Sequence, residues 1–435
     1  MNKWPLAPVE EIAAKSDNAL ATGPFGSSIG SSTFRSAGVP LIRGSNLSAD
    51  VGCRLDDSSH VFIDEELAHK FRRSQVVRGD LVFTCWGTIN QIGLIDDRTR
   101  YPRYIVSNKQ MKLTPDKEKA DPLFLYYWFS GPEAQHQILS ASIGSSVPGF
   151  NLGQLRSMSV PRPALHEQRT IAHILGTLDD KIELNRRMNQ TLEGIARAIF
   201  KSWFIDFDPV KAKAAGATGF RGMPQDVFDQ LPDHLIESDL GPFPAGWKIT
   251  AISNIAEYVN GKAFTNQANG KGRMIIRIAE LNSGPGVSTK YSDVDSEPQY
   301  TAFPDDILFA WSGSLGVYRW HRDEAIINQH IFKVIPNDRP KWHVYYRLVE
   351  AMEFFLAIAS TKATTMGHIK RGHLSEARFV ESPKWLIEAA DNLIRPLFDL
   401  VHINERQALN LAAVREMLLP RLMSGELRAS WGQHV

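Results

Sequence analysis

The sequence repeats itself once, and any fold proposed for it has to be built twice. Near the start, Trp4-Pro-Leu-Ala-Pro-Val9-Glu-Glu-Ile12-Ala13 parallels Trp247-Lys-Ile-Thr-Ala-Ile252-Ser-Asn-Ile255-Ala256. Leu41-Ile42-Arg43 parallels Ile275-Ile276-Arg277, and Gly79-Asp80-Leu-Val-Phe83-Thr-Cys-Trp-Gly87-Thr88 parallels Asp305-Asp306-Ile-Leu-Phe309-Ala-Trp-Ser-Gly313-Ser314. Ser145, Ser146, Val147 and Leu155 fall opposite Thr364, Thr365, Met366 and Leu374. Order is kept and spacing drifts only by loop-sized amounts, which is the mark of two copies of one domain.

Each copy alternates short β-rich runs (LVFTCW, YIVSNKQMKL, DILFAW, AIINQHIFKVI) with Gly, Pro, Asn and Asp punctuation, and helical stretches follow around Pro122–Leu139 and His343–Ala359. The pattern predicts an α+β fold with two similar α/β domains. A long helical pattern follows each copy. Leu178, Ile182, Asn185, Leu192 and Ile199 lie on the seam of the first, and Leu397, Val401, Asn404, Leu411 and Leu418 on that of the second, at a constant offset of 219 residues. Spacings of three and four make this a coiled-coil seam, and a polar residue there costs stability while fixing register. Two amphipathic helices packed separately on their own domains is the alternative. Pro396 and Pro420 should make the second helix start late or kink, and stop early. The organisation expected is a domain over 1–165, a helix over 166–206, a linker over 207–246, a second domain over 247–385 and a second helix over 386–430. Approximate two-fold symmetry between the halves would run the helices antiparallel and hold the domains apart, and about 38 helical residues would give a spacer of roughly 57 Å.

At 435 residues the chain is long enough for more than one core. No apolar run approaches the ~20 residues needed to span a bilayer, and the start lacks the pattern of a secretory signal, so a cytoplasmic location is expected. Cys53 and Cys85 have no CxxC or zinc spacing and read as small apolar residues; no metal is expected. Net charge is only +1, but residues 206–246 hold 3 Lys+Arg against 7 Asp+Glu, leaving 1–165 (18 against 16) and 247–385 (17 against 14) mildly basic.

The parts of an enzyme are missing. The stretch from Gly23 through Phe25, Gly26 and Gly30 is glycine-rich, yet it has no Walker Lys-Ser/Thr and no preceding apolar strand. The Asn/Asp-Pro-Pro-aromatic tetrapeptide of amino-methyltransferases is absent, Pro304-Asp305 has no following Glu-x-Lys, and the histidines form no HExxH. No catalytic residue is assigned and no bound cofactor is expected.

Side chains suited to DNA are present. Base readout needs Arg, Lys, Asn, Gln, Ser and Thr on loops, and phosphate contacts need positive charge. The segment 360–371, with Lys362, Thr364, Thr365, His368, Lys370 and Arg371, has these types and no acid, while its counterpart around Ser145 and Ser146 keeps the hydroxyls. Further candidates are Arg43 and Arg277 at equivalent positions, Trp86, Thr88 and Asn90, and Trp311, Ser312 and Ser314. A salt bridge inside the sheet is the competing role for the two arginines, and a place in the core for the tryptophans.

The run from His166-Glu167-Gln168-Arg169 through Leu178 and Ile182 to Phe200-Lys201-Ser202-Trp203-Phe204-Ile-Asp206-Phe207-Asp208-Pro209 resembles the central conserved region of type I restriction specificity subunits. The ending Leu418-Leu419-Pro420-Arg421-Leu422-Met-Ser424-Gly425-Glu426-Leu427 resembles their C-terminal conserved region, and Ser238-Asp-Leu240-Gly241 through Trp247 is similar to the start of their second half. The resemblance implies two target recognition domains separated by antiparallel helices, each reading half of a split double-stranded DNA site. It implies as partners two methyltransferase subunits using S-adenosylmethionine and restriction motor-nuclease subunits using ATP and magnesium. A self-contained restriction or methylation enzyme, or a coiled-coil scaffold that does not read DNA, are the competing readings.

Overall fold

A computed structural model of the chain describes residues 4–26, 28–143, 148–360 and 367–429. It forms two compact units, Met1–Leu184 with Asn410–Val435, and Asn185–Leu409. The division runs through both long helices.

In the first unit the strands are β1 (Leu6–Pro8), β2 (Leu20–Thr22), β3 (Val39–Ile42), β4 (Val61–Ile63), β5 (Gln75–Val76), β6 (Leu81–Thr84), β7 (Ile92–Leu94), β8 (Tyr104–Val106), β9 (Gln110–Leu113) and β10 (Ser159–Pro161). They form a sheet in the order β2-β9-β6-β7, a second in the order β4-β3-β8-β5, and the pair β1-β10 that ties the start of the domain to its end. Every pairing is antiparallel except β3 with β8. Strand β6 shows why the sequence folds this way. With a side-chain period of two, Leu81 and Phe83 enter the core beneath the helix α1 (Pro122–Ser130), and Val82 enters a second core with Ile42, Val76 and Val106. A strand buried on both faces reads as a continuous apolar run, as LVFTCW does.

After two short strands in the 207–246 segment, β11 (Leu235–Ile236) and β12 (Phe243–Pro244), the second unit repeats the plan. Its strands are β13 (Lys248–Ala251), β14 (Ala256–Asn260), β15 (Arg273–Ile276), β16 (Lys290–Ser292), β17 (Thr301–Ala302), β18 (Ile307–Ala310), β19 (Gly316–Arg319), β20 (Ala325–Ile327), β21 (Ile331–Pro336) and β22 (Arg378–Glu381). The sheets run β14-β21-β18-β19 and β16-β15-β20-β17, with β13-β22 as the closing pair, and β15-β20 is again the parallel pairing. Ile307 and Phe309 enter one core and Leu308 the other, matching Leu81, Phe83 and Val82. Asp80 and Asp306 each accept a backbone N–H three residues back (from Val77 at 2.9 Å, from Phe303 at 2.8 Å) and pair with Lys112 and Lys333, so both close a turn entering a strand. The residue before each has positive φ, Gly79 at 99° and Asp305 at 78°. Asp305 tolerates that strained backbone while its carboxylate is held by Arg319 and Lys341.

The helical stretches after each copy are both broken in two: α1 and α2 (Pro132–Ser140) in the first unit, then Lys341–Glu350 and Met352–Ser360 in the second. The acidic 207–246 segment is folded, with Phe207, Val210, Phe228, Leu231 and Phe243 in the core of the second unit. Cys85 is buried, which pushes its thiol up to about 12, whereas Cys53 is half-buried.

The long helices span Leu165–Phe204 and Lys384–Met423. The second neither starts late nor stops early: Pro396 and Pro420 both lie within it, exposed. Ile394, Phe398 and Val401 around the one, and Leu419 and Leu422 around the other, are buried, and that packing outweighs the ~3 kcal/mol a helix-interior proline costs. In the second unit the Asn185 side-chain amide donates to Gln407 at 2.9 Å, that of Asn189 to the Val401 carbonyl at 3.1 Å, and that of Asn404 to Asn189 at 2.9 Å. Partners descend on one helix as positions rise on the other, so the helices are antiparallel there. Asn185, Asn404 and Val401 are buried, and Leu178, Ile182, Leu192, Ile199, Leu397, Leu411 and Leu418 are half-buried. In the first unit the helices meet through a buried ion pair, Asp179 to Arg415 at 2.7 Å, with Tyr127 donating its hydroxyl to Asp179.

Candidate nucleic-acid interface

The strand registers gather one set of loops at one end of each domain. Thr22 lies opposite Met111, Thr84 opposite Gln110 and Ile42 beside Val106, so the chain leaves β2, β3, β6 and β8 at the same edge. Five backbone hydrogen bonds lock these exits together. Gly23 N–H donates to Gln110 O (2.9 Å), Ser107 to Ile42 (3.0 Å), Cys85 to Lys109 (2.7 Å), Gly87 to Pro148 (3.0 Å) and Phe150 to Cys85 (2.8 Å). The second domain makes the same five: Gly261 to Ile331 (3.0 Å), Asn328 to Ile276 (3.1 Å), Trp311 to His330 (3.1 Å), Gly313 to Gly367 (2.9 Å) and Ile369 to Trp311 (3.0 Å).

This edge collects most of the residues singled out from the sequence. Trp86 is 53% exposed, with its ring against Gly149, where a Cβ would come within 2.6 Å of the indole. Thr88 is exposed and Asn90 half-buried. Trp311, equivalent to Cys85, is half-buried: its indole N–H donates to the Asn260 side chain at 2.8 Å and its ring lies 4.9 Å from His330. Ser312 is half-buried and bridges to His368, Ser314 is exposed, and Lys370 and Arg371 follow, both exposed. Ser145, Ser146, Lys362, Thr364 and Thr365 lie outside the described residues.

The two equivalent arginines diverge. The guanidinium of Arg277 grips the buried Glu280 carboxylate at 3.0 and 2.6 Å and donates to the Ser288 carbonyl at 2.8 Å. Against the desolvation of burial, that grip holds Glu280 below the usual carboxylate range. Arg277 is therefore occupied in holding its own loop. At the position of Glu280 the first domain has Asn46, whose side-chain oxygen accepts the Arg43 backbone N–H at 3.0 Å. The half-buried Arg43 guanidinium lies 5.9 Å over the Phe34 ring, and among the described residues no carboxylate pairs with it.

Two residue groups at the edge escape a reading by pattern, Ser107-Asn108-Lys109 and Asn328-Gln329-His330. The apolar alternation runs up to them from both sides, so YIVSNKQMKL and AIINQHIFKVI look like single strands, whereas the chain turns there from one sheet to the other. A short polar run inside an apolar one, Ser107 to Gln110 in the first copy and Asn328 to His330 in the second, is the signal of the turn. Among the described residues, no cluster of three or more His, Cys, Asp or Glu is placed to hold a metal ion, and no helix is long and apolar enough to cross a membrane.

Comparison with known proteins bears on this doubled edge. Residues 64–194 and 244–379, well over half of the chain, match the type I restriction modification DNA specificity domain, once in each domain. The HindI specificity subunit of a type I restriction enzyme from Haemophilus influenzae is 25% identical over 373 residues, covering 74% of this chain and 81% of that one. The MjaIX specificity subunit from Methanocaldococcus jannaschii is 26% identical over 324 residues, covering 70% and 69%. A crystal structure of a type I restriction-modification S subunit from M. genitalium superposes with a TM-score of 0.58 at 12% identity, over 97% of this chain and 96% of that one. Its likeness is one of fold, and the doubled family match within that fold places this chain in the type I restriction-modification DNA specificity domain family.

Proposed function

We propose that this chain is the sequence-specificity subunit of a type I restriction-modification complex, each of its two domains reading one half of a bipartite site in double-stranded DNA. The observation that carries this reading is the loop edge built twice by the same five hydrogen bonds, with exposed polar and basic side chains at each copy. Two copies of one reading surface in one chain suit a target of two separated halves. Arg43, Lys370 and Arg371 are the cations suited to phosphates, and Trp86, Thr88, Asn90, Ser312, Ser314 and His368 flank the bases. Ser145, Ser146, Lys362, Thr364 and Thr365 are further candidates for DNA contact on the sequence alone.

The chain itself is non-catalytic and acts in the cytoplasm. Two methyltransferase subunits bring S-adenosylmethionine and methylate adenine, and restriction subunits bring ATP-driven, magnesium-dependent motor and nuclease activity. The test is reconstitution of the full chain with methyltransferase and restriction subunits of a type I system. Sequence-specific adenine methylation should need this chain, and the chain alone should transfer no methyl group from S-adenosylmethionine and cut no DNA with magnesium and ATP. Turnover by the chain alone, or the same methylated sites without it, contradicts the reading.

A further inference from the structure

In both domains three residues carry the chain from one sheet to the other: Ser107-Asn108-Lys109 between β8 and β9, and Asn328-Gln329-His330 between β20 and β21. The backbone of each turn is clamped. Its first residue donates to the end of the parallel neighbour strand, at 3.0 Å to Ile42 and 3.1 Å to Ile276, and its last accepts from the next loop, at 2.7 Å from Cys85 and 3.1 Å from Trp311. In the second domain the middle residue is held as well, Gln329 N–H donating to the Lys262 carbonyl at 2.9 Å. A glycine lies against each turn because nothing larger fits: a Cβ on Gly23 would sit 1.8 Å from the Ser107 carbonyl oxygen, and one on Gly261 2.2 Å from that of Asn328. His330 takes positive φ, 73°, to complete the second turn.

What this rigid frame presents is the middle side chain. Asn108 and Gln329 occupy the same position, both are exposed, and both carry a carboxamide, although the residues on either side differ between the copies, Ser107 against Asn328 and Lys109 against His330. The Asn108 amide donates one N–H to the Gly26 carbonyl at 3.1 Å, and among the described residues its oxygen and second N–H make no hydrogen bond. Among the described residues the Gln329 carboxamide makes no hydrogen bond. A carboxamide is the side chain that pairs in two places with the major-groove edge of adenine, accepting from N6 and donating to N7. Holding it on a clamped turn removes much of the ordering cost of doing so.

We infer that Asn108 and Gln329 are specificity-determining residues, each reading an adenine in the half-site of its own domain. The inference rests on the DNA-reading function proposed above. It is tested with the full chain in complex with its methyltransferase subunits, by selection from duplexes carrying a randomised core, for the wild type and for Asn108→Ala, Gln329→Ala and Gln329→Glu. Each Ala variant should lose preference at an A·T pair in one half-site, by about 10-fold or more given the discrimination a bidentate pairing provides. The other half-site should be selected as before, which also reports that the variant is folded. Gln329→Glu should move the preference at that pair toward C·G, since a carboxylate accepts from cytosine N4, a change that a merely structural residue would not cause. If the wild type selects a bipartite sequence and the variants select the same one with equal stringency, or weaken on all sequences alike, the inference is wrong while the function stands. If the wild-type complex selects no sequence, both fall.

Discussion

Lys370 and Arg371 stand exposed just beyond the bridge between Ser312 and His368, and among the described residues no carboxylate pairs with either. Changing both to Ala should weaken binding to all DNA sequences and flatten the dependence on salt, by roughly one unit of log-log slope for each phosphate no longer neutralised. An unchanged slope in a salt titration would remove them from the interface. A different residue contributes to how stability depends on pH. Burial, then repulsion from Glu193, lifts the Glu405 carboxyl to about 7, against the pull of Arg319, and His321 lies 3.3 Å from it. The folded state thus keeps a proton that the unfolded chain gives up near the ordinary value of 4.5. This contribution to stability is complete below about pH 4.5 and is lost as pH rises through about 7. Glu405→Gln should accordingly raise the unfolding temperature by a few degrees at pH 8 and change it little at pH 4.5; equal shifts at both, followed by calorimetry, would show that charge is not the cause. None of this could be read from spacing alone, because Glu193, His321 and Glu405 meet only through tertiary packing. Arg277, by contrast, is distinguishable from Arg43 in the sequence by the acid three residues on, Glu280, where the first domain has Asn46.

Among the elements, the strands were legible where apolar alternation was continuous and the turns where it broke with glycine or proline. It failed at Ser107–Lys109 and Asn328–His330, since a few polar residues between two apolar runs cannot be told by period from the exposed face of one strand. The long helices were legible from their seam, including the Asn185 and Asn404 layer, yet the prolines at 396 and 420 suggested ends that tertiary packing overrides. If those helices set the distance between the half-sites, four residues inserted between Gln190 and Thr191, both exposed, add about one turn, or ~6 Å of axis. At ~3.4 Å per base pair the spacer of the recognised site should grow by one or two base pairs while each half keeps its sequence. A four-residue stutter is tolerated by coiled coils, so folding should survive. A stable variant that methylates the original spacing would show that the clasp of the methyltransferases on DNA fixes the distance instead.

At the scale of the whole molecule, the doubling was the most legible feature because it is written in order and spacing and does not depend on any single residue. Strand order, the parallel pairing of β3 with β8 and of β15 with β20, the aspartate-closed turn and the five hydrogen bonds at the loop edge all recur with little sequence in common. Which loops converge was not legible, since it depends on where the strands end in register, and the acidic 207–246 segment, read as a linker, is packed into the second unit. Two copies of one reading surface carry the central claim, that each domain reads its own half of the target independently. The most direct measurement replaces residues 247–385 with the corresponding segment of a relative of different specificity, expresses the hybrid with its methyltransferase subunits, and maps methylated adenines by sequencing genomic DNA. The predicted result is a new bipartite site in which one half is unchanged and the other is that of the donor. A hybrid that methylates with both halves altered, or with neither, would contradict it.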